Sequence, residues 1–102
     1  MSTLKLDEPL KSFEGTEIRF AGEEKPQTLR ALLIHSVLTG GADKLDGVQK
    51  YERYEFAKRL KDADNETDWT IEDLKTLKDA VGLVQMFGVI VVGALFDALE
   101  GK

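Results

Sequence analysis

The chain contains no cysteine. That absence excludes disulfides, thiolate chemistry and cysteine-based zinc sites together. It is compatible with a reducing compartment. Histidine is almost missing too: the single His35 cannot build a multi-histidine metal site. No nucleophile and orienting acid can be placed around it for a triad. Set among Leu33, Ile34 and Val37, it reads as a partly exposed helix residue.

Positive charge is in deficit, with 14 Lys and Arg against 19 Asp and Glu and a net charge of −5. Phosphate neutralisation dominates nucleic-acid affinity, so direct nucleic-acid binding is not expected. There are 9 glycines but no GxGxxG or GxxxxGKS/T run, so no phosphate cradle is indicated. The opening MSTLKLDEPLKSF has no apolar signal core. Internal repeats and low-complexity tracts are absent.

What is present is a globular composition, 42% hydrophobic and 32% charged over 102 residues. That suits one domain with a thin core, which oligomerisation would help to stabilise. Residues 1–27 form an extended segment and residues 28–102 a helical one. In the first, Leu10 and Ser12 alternate with Lys11 and Phe13, and Ile18 and Phe20 alternate with Glu17 and Arg19. Glu14-Gly15-Thr16 supplies a hairpin turn between them, and Ala21-Gly22-Glu23 a second turn before Pro26.

Helix punctuation then takes over. Thr28 is a good N-cap, Leu29, Leu32, Leu33 and Val37 recur at helical spacing, and Gly40-Gly41 supplies a stop. Asp46 caps a second helix over 47–62. The polar run DADNETDW, ending at Trp69, reads as a loop. Thr70 and Asp73 open a third helix as a capping box with an apolar stripe of Ile71, Leu74 and Leu77. Gly82 permits a break, and a fourth helix is expected over 83–99.

The expected fold is therefore mostly α, a four-helix domain with a short N-terminal β-hairpin and the last helix at its centre. The expected core is Leu29, Leu32, Leu33, Ala57, Leu60, Leu74, Leu77, Phe87, Ile90, Val91, Ala94 and Leu95.

Two segments invite a chemical reading. Asp62, Asp64, Glu66, Asp68, Thr70 and Asp73 fall at the first, third, fifth, seventh, ninth and twelfth positions of a calcium-loop register. The glycine needed at its sixth place is Thr67, and the bidentate Glu at its twelfth is Asp73, so no metal is expected. The run 81–99, VGLVQMFGVIVVGALFDAL, has the length of a membrane span but holds Gln85 and Asp97 and lacks positive flanks. A buried central helix is the favoured reading and a membrane span the alternative. No cofactor and no catalytic residue are expected.

Taken in order, FEGTEI, TLRALLIHSVL, KYERYEFAKRL, WTIEDLKTLKDAVG and VVGALFDALE resemble a group of small tailed-bacteriophage and prophage proteins of unknown function. A weaker likeness, through LKLDEPLK and TLR, is to tail assembly chaperones. The resemblance implies a phage origin, action in the host bacterial cytoplasm or the virion, and no enzyme activity. It carries over no functional residues.

The expected function is thus protein–protein interaction, on a host target or in virion or tail assembly. The alternative is a small membrane-active phage protein with its span at 81–99. Tyr51, Tyr54 and Trp69 are candidate partner contacts, because tyrosine and tryptophan are enriched in hot spots. Packing at the edge of the core is the competing role for each. A homo-oligomer is expected, with Met86, Val89, Val92 and Phe96 at its interface. The competing arrangement folds Phe13, Ile18 and Phe20 over that strip and leaves a monomer.

Overall fold

The structure, a computed structural model, describes residues 2–18 and 27–100. Strand β1 (Ser2–Lys5) is followed by a turn-rich segment, then helices α1 (Leu29–Thr39) and α2 (Gly47–Asp62). A second strand, β2 (Glu66–Trp69), precedes α3 (Ile71–Gly82) and α4 (Val89–Glu100). The mostly α class with four helices is as expected. The second turn at Ala21-Gly22-Glu23 and the positions of Arg19, Phe20 and Pro26 lie outside the described residues.

Caps set the helix boundaries. The Thr28 hydroxyl accepts from the Ala31 N–H at 3.2 Å, satisfying one of the donors left free at the start of α1. Asp46 and Gln49 close a reciprocal capping box on α2, and Thr70 and Asp73 close another on α3. Leu29, Leu32, Leu33, Ser36 and Val37 fall on one stripe of α1 and are buried. Ser36 is polar, but its hydroxyl donates to the Leu32 carbonyl at 2.7 Å, so its burial leaves nothing unpaired. At Gly40 α1 passes so close to α3 that any Cβ would collide with the Ala80 carbonyl. Gly41 then turns through the left-handed region at φ 68°.

Helices α1 and α2 run antiparallel and cap each other with arginines. Arg53, on α2, donates to the Gly40 carbonyl at 3.2 Å and the Val37 carbonyl at 3.4 Å, at the end of α1. Arg30, in the first turn of α1, donates to the Leu60 and Lys61 carbonyls at the end of α2. Each cation sits where orphan carbonyls and the helix dipole concentrate negative potential. Arg30 also forks onto Asp7 at 3.0 and 3.4 Å, drawing the N-terminal segment onto the helix pair.

That segment contributes more than the sequence suggests. The 10–18 turn is present, closed by Ser12 N–H to Thr16 and Ile18 N–H to Leu10, with Gly15 at φ 84°. It carries a single bridge, Lys11 to Glu17, and no ladder. The ladder itself is long-range: β1 pairs antiparallel with β2, from Ser2 opposite Trp69 to Lys5 opposite Glu66. Residues 66–69, expected as loop, are thus a strand whose Thr67 and Trp69 face inward while Glu66 and Asp68 face out. Leu4, Leu6 and Leu10 are buried in the core.

Those three leucines occupy space that the sequence assigns to the last helix. α1, not the fourth helix, is central: it packs on both α2 and α3, whereas α4 lies against α3 and β1. α4 begins at Val89, because residues 83–88 turn after α3 and tuck only Val84 and Phe87 into the core. On α4 itself Leu95 and Leu99 are fully buried. Ile90, expected in the core, is 51% exposed, and Ile71, expected on the buried stripe of α3, is 75% exposed. Leu74, Val91 and Ala94 pack at the edge of the core, and the other expected core residues are buried.

Candidate docking surface

The apolar run 81–99 is divided by this turn. A helix of the length of α4, 12 residues, spans about 18 Å against the roughly 30 Å of bilayer hydrocarbon. Among the described residues no helix is long and apolar enough to cross a membrane.

With its inner face on α3 and β1, α4 presents the opposite face outward. Val89 is 90% exposed at its start, with Ile90 beside it. An open groove of about 860 Å³ runs between this face and the N-terminal segment. Leu4, Leu10 and Leu29 lie at its base, and Ala94 and Ala98 line the α4 side. Phe13 stands on the other bank, 81% exposed at the turn. Lys5, Glu8, Lys11 and Asp97 give the groove a rim of mixed charge. An apolar floor with a polar rim is the general anatomy of a protein contact.

The expected interface set divides here. Met86 and Val89 are exposed, whereas Val92 and Phe96 are half-buried against the core. Phe13 does not fold over the strip, because it and Val89 are both open. Ile18 packs against the core, and Phe20 lies outside the described residues. Met86 points its sulfur at His35, with Sδ 3.2 Å from Nε2, and the imidazole leans on Phe87 at 5.8 Å between ring centroids. His35 and Met86 border a shallow hollow of about 420 Å³ with Thr39, Asp43 and Leu83.

A second exposed patch lies on α2. Tyr51 and Tyr54 stand 6.3 Å apart with Val48 in the turn before, all exposed. The Glu55 carboxylate accepts from the Tyr51 hydroxyl, which raises the phenol above its ordinary value and lowers Glu55 below its own. Lys58 bonds Glu55 at 3.1 Å and lies over the Tyr54 ring at 5.0 Å, and its ammonium is raised in turn. The patch is charged but internally balanced, which preorients both rings.

Trp69, expected as a third contact, is a core residue at 2% exposure. Its inward position on β2 stacks it on Phe56, with rings 5.8 Å apart and 15° from parallel. The Arg59 guanidinium covers both rings at 5.1 and 5.3 Å and forks onto Asp73 at 3.0 and 3.4 Å. It lies deeper than the competing role, packing at the edge of the core, would place it. Burial pushes the Asp73 carboxyl up, but hydrogen bonds from Arg59 and Thr70 outweigh that and hold it below the ordinary carboxylate range. Asp73 is thus committed to a cap and an ion pair, and the acidic run before it is partly strand. Among the described residues no group of three potential metal ligands converges.

Sequence reasoning missed Phe13 and Ile90 as surface groups. An aromatic beside the Glu14-Gly15-Thr16 turn is a usable signal for Phe13, since turn tips seldom reach a core. For Ile90 no local signal exists, because its neighbours on both sides are equally apolar.

No family model matches the chain, and neither the curated proteins nor the solved structures contain a significant match to it.

Proposed function

We propose that this chain is a non-enzymatic accessory protein of a tailed bacteriophage. It works by protein–protein contact, on a host target or in virion assembly, in the host cytoplasm or the particle. The observation that carries the contact reading is the set of exposed apolar side chains lining one groove, Phe13 on one bank and Val89 and Ile90 on the other. Exposed apolar side chains are ordinary singly, but a contiguous set with a polar rim marks an interaction site. Tyr51 and Tyr54 form a second, smaller contact patch. The phage assignment rests on the sequence resemblance alone.

A photo-crosslinking amino acid placed at Val89, in bacteria carrying the phage genes that flank this one, tests the contact. A discrete protein adduct at Val89, absent from the same probe at exposed Lys75, is the expected result. No adduct at Val89, Phe13 or Tyr51 under those conditions overturns the proposal.

A further inference from the structure

The exposed face of α4 has a composition that selects its own occupant. Val89, Gly93 and Asp97 lie four residues apart along it, with Ile90 alongside, while Leu95 and Leu99 anchor the opposite side. The face thus begins on exposed apolar side chains and carries one carboxylate, Asp97, near its end.

Gly93 sits mid-helix, is exposed, and has nothing within 4 Å of where a Cβ would stand. The fold gives no reason for glycine there, in contrast to Gly40, where the Ala80 carbonyl forbids any side chain. Glycine is disfavoured in a helix interior relative to alanine, and close approach of another backbone is one use that offsets this. The first turn of α4 contains no acidic residue, and Gly88 before it has no side chain to act as a cap. Its leading N–H groups therefore present partial positive charge.

We infer that the occupant is a second copy of this chain, related by a two-fold axis passing beside Gly93, with the two α4 helices crossing antiparallel. This rests on the protein-contact reading above and names the partner. The antiparallel sense follows from charge. A parallel arrangement sets Asp97 against Asp97. The antiparallel one sets Asp97 of each copy beside Val89 of the other, at the uncapped, electropositive start of its α4. The contact is isologous, so each copy gives one carboxylate and receives one, which is the commonest closed symmetry. Phe13 and Lys11, on the far bank of the groove, flank the incoming helix with an apolar ring and a cation. The interface keeps Val89 from the sequence expectation and replaces half-buried Val92 and Phe96 by Ile90 and Gly93.

The absence of cysteine makes the test clean. The two-fold places Gly93 next to its own copy, so Gly93→Cys in the full chain, under mild oxidation, forms a covalent dimer. It does so roughly tenfold faster than Tyr51→Cys, since disulfides require Cα atoms within about 7 Å. Sedimentation equilibrium of the wild type at high micromolar concentration reads twice the monomer mass of 11.4 kDa. Val89→Glu, and independently Ile90→Glu, return it to monomer with an unchanged circular dichroism spectrum, because both side chains are solvent-exposed. A wild-type monomer at that concentration overturns the inference. So does a dimer that both glutamates leave intact, or crosslinking at Gly93 no faster than at Tyr51. A monomer that still yields a heterologous adduct at Val89 overturns only the identity of the partner and leaves the contact function standing.

Discussion

Replacing Arg30 by alanine tests whether the helix pair is held by end-capping or by surface charge. The guanidinium is mostly covered, its side chain 18% exposed, and it serves two masters. One is Asp7, whose side chain is 58% exposed; ion pairs of that kind contribute about 0–1 kcal/mol. The other is the end of α2, where Arg30 donates to the part-buried Leu60 carbonyl and to Lys61. A hydrogen bond from a charged donor to a partly buried acceptor is worth about 1.5–3 kcal/mol, and its loss leaves the carbonyl unpaired. Arg30→Ala should therefore cost about 2–4 kcal/mol in total, of which the Asp7 pair supplies the smaller part. For a domain of this size that lowers Tm by roughly 10–25 °C. Asp7→Ala should cost below about 1 kcal/mol. Arg30→Lys should fall between, because a point charge cannot fork to Asp7 and two carbonyls at once. Urea denaturation followed by circular dichroism at neutral pH measures all three. If Asp7→Ala proves as costly as Arg30→Ala, the capping account is wrong and the ion pair dominates.

Four further outcomes test the packing and the α3 cap. Gly40→Ala should destabilise by at least about 2 kcal/mol in the same assay, since the added carbon meets a backbone carbonyl that cannot move aside. Gly82→Ala, where the new methyl meets nothing, should be neutral or stabilise by up to about 1 kcal/mol. Leu95→Ala should cost about 2–5 kcal/mol and Ile90→Ala less than about 1 kcal/mol, which a pair of thermal melts distinguishes. Asp73 has a carboxyl depressed in the folded state, so its contribution to stability is full above the ordinary carboxyl value of about 3.9 and is lost as pH falls through the depressed one. Urea midpoints measured across the acid range should show Asp73→Asn losing less stability on acidification than the wild type; equal losses would remove Asp73 from the linkage.

The features legible in the sequence are those decided within a few residues. Thr28, Gly40-Gly41, Asp46 and the Thr70–Asp73 box mark three helices because a cap is a local contact, made by a side chain to N–H groups two or three positions away. The pairing of β1 with β2 is invisible to such reasoning, since each strand is four residues long and neither carries a strong alternation by itself. The choice between the two roles of Trp69 is open in the sequence for the same cause: its burial depends on distant partners, Phe56 on α2 and the covering Arg59. The last helix failed differently. Residues 83–96 are apolar in every direction apart from Gln85, so no periodicity distinguishes the helical portion from the turn before it, or an inward Leu95 from an outward Ile90. Tyr51 and Tyr54 fall on the same wide apolar face of α2 as Phe56, Ala57 and Leu60 in the sequence, so spacing alone does not separate the exposed rings from the buried stripe.

The strand pairing also dictates an order of events during synthesis. The α1–α2 hairpin is closed by local contacts and its reciprocal arginines, so it can assemble as soon as Asp62 is free of the ribosome. β1 is made before α1 and α2 but meets its partner strand only after roughly 60 further residues, and contacts of such separation form late. Until Glu66–Trp69 emerge, the strand that carries Leu4 has no sheet to enter. A strand synthesised well before the helices is thus among the last elements to reach its native place, and a nascent chain halted before Trp69 keeps Leu4 available to whatever chaperone waits at the exit tunnel.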